Sequence, residues 1–408
     1  MPENSTPEKK APPLWQYVPV ADYAVPAAPV AHTVRTGFSF VRSLFEKDEP
    51  EPDAPLKTED ELQKLPLFEL DRIVPAIDWR EASEALSLEL KDWLEQEKPA
   101  QPIIVVLRQP CQDQGQILET WAAQRNWQVV DPPSADQILA GETGWLSDRQ
   151  KDDAPWVFPH IERAYLRHAM GLNVIRHFLN KASSGHLGRG VIGCDSWAWA
   201  FLRRIWNGRQ LITVTLQAFD QTRLSDYFQC LADPANTRRL RFRQSDKGHY
   251  VLSPPDKADA SGETSNFLQL LAAHSRGNFG NALAVWRPSL RSEPDDTLTE
   301  KAGTEEPVIS GKTIWVTPWH LLKHASLPSG AGQEEMFVLH TLLLHDGLPW
   351  QTLQRTLSMP PSQIMETLYR LEEGGLTAFD GSVWRVTPLG YPAVRSFLKT
   401  NGFLVDLF

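Results

Sequence analysis

Residues 108–117 read RQPCQDQGQI, directly after the apolar run PIIVVL (102–107) and directly before LETWAAQRNW. An unbroken apolar run of that length predicts a strand buried on both faces, as in a parallel sheet. The stretch that follows it holds one glycine, Gly115, and then takes up helical spacing. A strand feeding a helix through a short loop aims the unsatisfied amides of the helix start at whatever lies beyond the strand. Residues 108–117 therefore decide between an α/β sheet with a ligand-binding edge and an ordinary turn.

The pattern continues outward. Apolar segments WQVVD (127–131), RGVIGC (189–194) and QLITVTLQAF (210–219) alternate with helical spacing at 115–124, over 159–182 and through WAFLRRIW. Strands alternating with helices predict a parallel sheet covered on both faces, an α/β domain over 67–260. NFLQLLAAHSRGNFGNALAVWRPSLR (266–291) reads as two helices meeting at SRGN, a helical lid assigned to 261–291, and 292–312 as an acidic linker. Residues 1–66 are expected to be a mostly disordered arm, rich in proline. Its stretch EKDEPEPDAPLKTEDEL sets eight acids against two lysines. Within the arm, 33–47 has a helical apolar face, and Phe38, Val41, Leu44 and Phe45 are candidate partner-binding residues.

From 313 to 408 the order is helix, helix, helix, hairpin, helix. The hairpin turns at Asp380–Gly381, and the phrase WRVTPLG leads out of it. Over 335–405 this order resembles a winged-helix domain. DNA reading by such a domain would need cations on its third helix and wing. Here the third helix offers Arg370 against Glu366, Glu372 and Glu373, and the wing offers Arg385. Protein contact or interdomain packing is the expectation for this unit.

The loop itself is compared with the phosphate-loop pattern G-x-x-x-x-G-K-[ST]. Pro110, Gly115, Gln116 and Ile117 fall on its four key positions, and glycine alone survives. Other features follow in order: GVIGC ending in Asp195–Ser196, the strand QLITVTL with Thr213 and Thr215, and Gly277-Asn278-Phe279-Gly280 at the lid. In sum, the chain resembles a degenerate AAA/STAND-like ATPase module with a C-terminal winged helix. The resemblance implies an α/β, P-loop-like fold with candidate nucleotide-binding residues Gly115, Gln116, Asp195, Thr213, Thr215 and Asn278. It also implies ATP or ADP with Mg as the cofactor, if any binds. The lysine, the hydroxyl, the acidic base and the lid arginine of the family are absent, so hydrolysis is not expected. Plainer readings stand beside these: Gly115 as a turn glycine, Asp195 as a helix N-cap.

Other features narrow the function. A net charge of −10 argues against sequence-independent binding to nucleic acid or anionic membrane. Three widely spaced cysteines offer no metal spacing and no disulfide framework, so no metal is expected and a reducing, cytoplasmic setting is. The polar N-terminal residues carry no signal core, and no segment has the apolar length of a membrane span. TRRLRFRQSDKGHYVL (237–252) predicts a hairpin with Arg239, Arg241 and Arg243 on one face. That face is either solvated or a candidate surface for an acidic partner. Glu162, Arg163, Arg167, His168, Arg176 and His177 could hold an acid–base pair, but no nucleophile motif accompanies them, and surface ion pairs or an interdomain face are the expectation. The expectation overall is a non-hydrolysing adaptor or regulator acting through a protein partner. The alternatives are an active ATPase with an unconventional phosphate loop and a winged-helix DNA-binding regulator.

Overall fold

The computed structural model describes residues 13–26, 56–112, 114–145, 154–233, 239–254, 263–294 and 312–408. The chain enters through β1 (Tyr17–Pro19), β2 (Gln63–Lys64), α1 (Leu67–Ile73), α2 (Arg80–Glu89) and α3 (Lys91–Glu95). The alternating region holds β3 (Ile103–Arg108), α4 (Gln114–Arg125), β4 (Gln128–Val129), α5 (Ala135–Ala140) and β5 (Trp156–Phe158). It continues with α6 (Asn173–Ser183), β6 (Gly190–Asp195), α7 (Ser196–Ile205), β7 (Ile212–Leu216) and α8 (Gln221–Ala232). Next come β8 (Arg241–Gln244), α9 (Phe267–Ser275), α10 (Phe279–Ser289), β9 (Leu290–Ser292) and β10 (Thr313–Val316). The C-terminal unit is α11 (Gln333–Leu344), α12 (Trp350–Thr356), α13 (Pro361–Glu373), β11 (Thr377–Phe379), β12 (Trp384–Val386) and α14 (Tyr391–Thr400).

The main sheet has the order β1-β7-β3-β6-β5-β4 and is parallel except for β1. Every residue of β3 and β6 is buried, as strands covered on both faces must be. Their register sets Arg108 beside Asp195 at the carboxyl edge. This mainly parallel α/β architecture is the expected fold class. Ligands of such sheets bind outside the carboxyl ends of the strands.

Several expectations are corrected. The arm 1–66 is not unstructured at its described start. β1 adds to the sheet edge on β7, and Trp15 is buried against Trp79, Phe219, Tyr227 and Phe279 with ring centroids 5.4–6.2 Å apart. Phe38, Val41, Leu44 and Phe45 lie outside the described residues. The helix expected over 159–182 begins only at Asn173. Before it, Ile161–Arg163 form one tight turn, because Glu162 and Tyr165 turn inward to buried partners. Strand β5 was not expected. Nor was a second sheet of order β2-β9-β10-β8, whose β8 and β10 are parallel. The turn after β8 forms as expected, with Gly248 at φ 71° and an Arg243–Tyr250 bridge. Arg239, however, precedes the strand at φ 50°, so only Arg241 and Arg243 share the alternation. Arg243 stacks on the Tyr250 ring at 4.0 Å and donates to the Gly248 carbonyl at 2.9 Å.

The C-terminal unit buries its own apolar core of helices and hairpin, and that core includes Ile138, Leu166 and Trp197 of the α/β unit. Trp197 Nε1 donates to the Tyr391 hydroxyl at 2.9 Å, and Ser196 Oγ to Asp406 at 2.6 Å. Residues 401–408 run back along α7. Phe408 is buried in the α/β core, where its ring meets Tyr23 edge-on at 4.7 Å.

Replacing Trp15 by alanine should cost about 3–5 kcal/mol of stability, the usual loss for a buried large aromatic. Urea unfolding measures it, and a loss under about 1 kcal/mol would mean that the N-terminal segment does not seat as described.

Candidate functional site

A cavity of about 490 Å³ opens at the carboxyl edge of β3 and β6, between the α/β unit and the C-terminal unit. Arg108, Gly115, Gln116, His160, Arg163 and Asp195 line it from one side, and Asp346 and Arg385 from the other. Arg108, 4% exposed, is the last residue of β3, and its guanidinium organises the wall. Its Nη2 donates to Glu162 and, at 2.9 Å, to Asp346 Oδ2. Glu162 is fully buried. His160 Nδ1 lies 3.0 Å from its Oε1, and the Asp195 amide donates to its Oε2 at 3.2 Å. Burial alone would raise the Glu162 pKa, but Arg108 and the His160 hydrogen bond outweigh it and hold the carboxyl at about 2. Asp195 goes the other way: burial pushes it well above the usual carboxylate range, and Arg108 only partly opposes this.

Asp346 follows α11 at φ 51°, and Gly347 after it is also left-handed, its amide returning to the Leu342 carbonyl at 2.9 Å. A side chain on Gly347 would meet Arg385 and the Trp384 carbonyl, so the turn needs both the conformation and the space that glycine gives. The turn points Asp346 at Arg108, at Arg385 (3.4 Å) and at Arg163 (3.7 Å). Two buried histidines complete the seam. His345 Nδ1 donates to the Glu162 carbonyl and its Nε2 accepts from the Arg167 amide, both at 3.3 Å. His340 Nδ1 accepts from Arg167 Nη1 at 3.2 Å, and its Nε2 donates to the Leu404 carbonyl at 3.3 Å. Each ring needs one bare nitrogen, and burial lowers both pKa values to about 4.

The candidate nucleotide residues are only partly brought together. Gly115 opens α4 at the cavity, but a Cβ there would overlap the His160 ring, which rests on the helix start. Gln116 reaches the cavity wall, while its Oε1 accepts from Trp79 Nε1 at 2.9 Å. Asp195 Oδ1 caps α7 at the Trp197 amide, 2.9 Å away. Thr215 donates to the Leu107 carbonyl at 3.1 Å. Asn278 caps α10 and ties the lid to the loop, donating to the Pro110 carbonyl at 2.8 Å. Gly280, at the family's arginine position, abuts the Cys111 carbonyl, so no side chain fits there. Thr213 stands apart, paired with Val105 in mid-sheet and facing a separate cleft with Trp199, Arg203 and Trp206. His160, Asp346 and the central role of Arg108 escaped sequence reasoning. The one signal was an arginine closing an otherwise apolar strand.

His160, Glu162 and Asp346 place ligand atoms within 4.8 Å of one another, a spacing that suits a cation. The Arg108 guanidinium, bonded to both carboxylates, already supplies that positive charge. Magnesium held as in a phosphate loop does not fit either, since Ile117, at the position of the ligating hydroxyl in that pattern, is buried in the core.

Residues 334–392 match the family model of the HemN C-terminal domain. No curated protein matches the chain. Among solved structures, a Walker-type ATPase of Pyrococcus abyssi is similar over 80% of this chain and 96% of its own, at 10% identity and a TM-score of 0.29.

Breaking a buried ion pair from one side strands its partner, so Arg108→Ala should cost about 3–5 kcal/mol in denaturant unfolding. The seam should also respond to acid. Histidines held neutral at about 4, against 6.5 when unfolded, contribute stability that is complete above 6.5 and is lost as pH falls toward 4. At pH 5 each should cost roughly 2 kcal/mol. His345→Gln should remove its share of the loss between pH 7 and 5. An unchanged pH dependence in that variant would contradict a neutral His345.

Proposed function

We propose that this chain is a non-hydrolysing, ATPase-derived protein that acts as an intracellular adaptor or regulator through protein contacts, its C-terminal unit being a winged helix used for packing and partner binding. One observation carries the reading. The side chains a phosphoryl-transfer site would need free are committed to the protein itself: Gln116 to Trp79, Asp195 Oδ1 to the α7 cap and Asn278 to the loop. The helix start beneath them is covered by His160.

The C-terminal unit favours protein over DNA on the same grounds. Arg370 pairs with Glu335 at 3.2 Å, and Arg385 lines the cavity between the units beside Asp346, so neither cation is presented as an outer face for a nucleic-acid backbone. Tyr369 and Phe379 stand exposed beside Trp384, an aromatic patch suited to a protein partner. The described cysteines form no disulfide, and no described helix is long and apolar enough to cross a membrane.

Thermal melting with millimolar Mg-ATP, Mg-ADP or Mg-GTP, run beside a phosphate-release assay, tests the reading. Wild type is expected to release no more phosphate than Asp195→Asn. Turnover that disappears in Asp195→Asn would overturn it.

A further inference from the structure

Two buried side-chain atoms of residues that line the cavity have no hydrogen-bond partner, Arg108 Nε and Asp195 Oδ2. They belong to residues opposite each other on β3 and β6, and both residues line the cavity. A buried donor left unmet costs free energy comparable to a lost hydrogen bond, so Arg108 Nε calls for an acceptor. Burial raises the Asp195 pKa well above the usual carboxylate range, so its carboxyl opposes an incoming anion less than an ordinary aspartate would. Arg163 and Arg385 line the same space. A wall of donors selects an acceptor, and one is already there: Asp346 Oδ2 gathers Arg108, Arg385 and Arg163. Of the other acids on the wall, Asp380 is occupied by its own turn and by Arg385. Glu119 lies along α4.

We propose that this cavity binds a small oxyanion, a phosphoryl or carboxylate group, on Arg163, Arg385 and the free Nε–H of Arg108, and that Asp346 holds that place until the ligand displaces it. The site combines side chains of both units and lies beside the helix start that His160 covers. It rests on the reading of the cavity as one that binds without turnover. The two claims fail separately, because anion binding and phosphate release are different measurements.

The full chain would be titrated calorimetrically with inorganic phosphate, pyrophosphate and succinate at one ionic strength. Wild type should bind at least one of them saturably, and the preference between phosphate and succinate identifies the source of the oxyanion. Asp346→Asn removes the competing charge and should bind about tenfold tighter. Arg163→Gln with Arg385→Gln should weaken binding by at least about tenfold. The proposal is overturned if no anion binds wild type saturably, if folded Asp346→Asn binds no tighter, or if the double variant binds as wild type does. Should Asp346→Asn fail to fold, the double variant alone decides. Anion binding together with ATP turnover would leave this proposal standing and sink the non-hydrolysing one.

Discussion

Everything at the carboxyl edge of the sheet depends on the burial of one guanidinium. Arg108 leaves a strand that is otherwise wholly apolar and stays out of water, which is tolerable only because carboxylates reach it from two directions. Glu162 comes from the α/β unit and Asp346 from the C-terminal unit. The charge balance of the core is therefore completed across the boundary between units. Desolvating such a group is expensive, and replacing the whole cluster by apolar side chains could be neutral for stability. In the observed seating of the C-terminal unit, Asp346 reaches Arg108 and His345 reaches the Glu162 carbonyl at once.

The same commitment of side chains to internal contacts bears on the phosphate-loop resemblance. The sequence shows glycine at 280 and glutamine at 116 where a family member would carry charge. In the structure both positions serve internal packing. The loop carbonyl of Cys111 fills the space beside Gly280, and Gln116 braces Trp79. An arginine at 280 would require the loop at Cys111 to move, and a lysine at 116 would leave Trp79 Nε1 without its partner.

How much of this was legible beforehand depended on the range of the interactions. Strands β3 and β6, the loop between β3 and α4, and the helix–hairpin–helix order of the C-terminal unit rest on local periodicity and turn chemistry, and these could be read directly. Strands β1 and β5 have three residues each, too short for a period, and exist because a neighbouring strand offers its edge. The tight turn at 161–163 sits where helical spacing was expected, because the pull of Arg108 on Glu162 and of the Leu344 carbonyl on Tyr165 comes from other parts of the chain. The cavity shares this property. Gly115 and Asp195 were visible as candidates from their local sequence, whereas Asp346 and Arg385 join them only through the docking of a unit far downstream in the chain.

That long reach also bears on how the molecule is made. Phe408 fills part of the α/β core and touches Tyr23, while Asp406 holds Ser196 at the start of α7. Domains usually close behind the ribosome in the order of synthesis. Here the emerging α/β unit lacks part of its interior until the chain has been translated through residue 408. Completion of the core thus waits for residues 404–408, and until they arrive the face of α7 that they cover stays open to solvent.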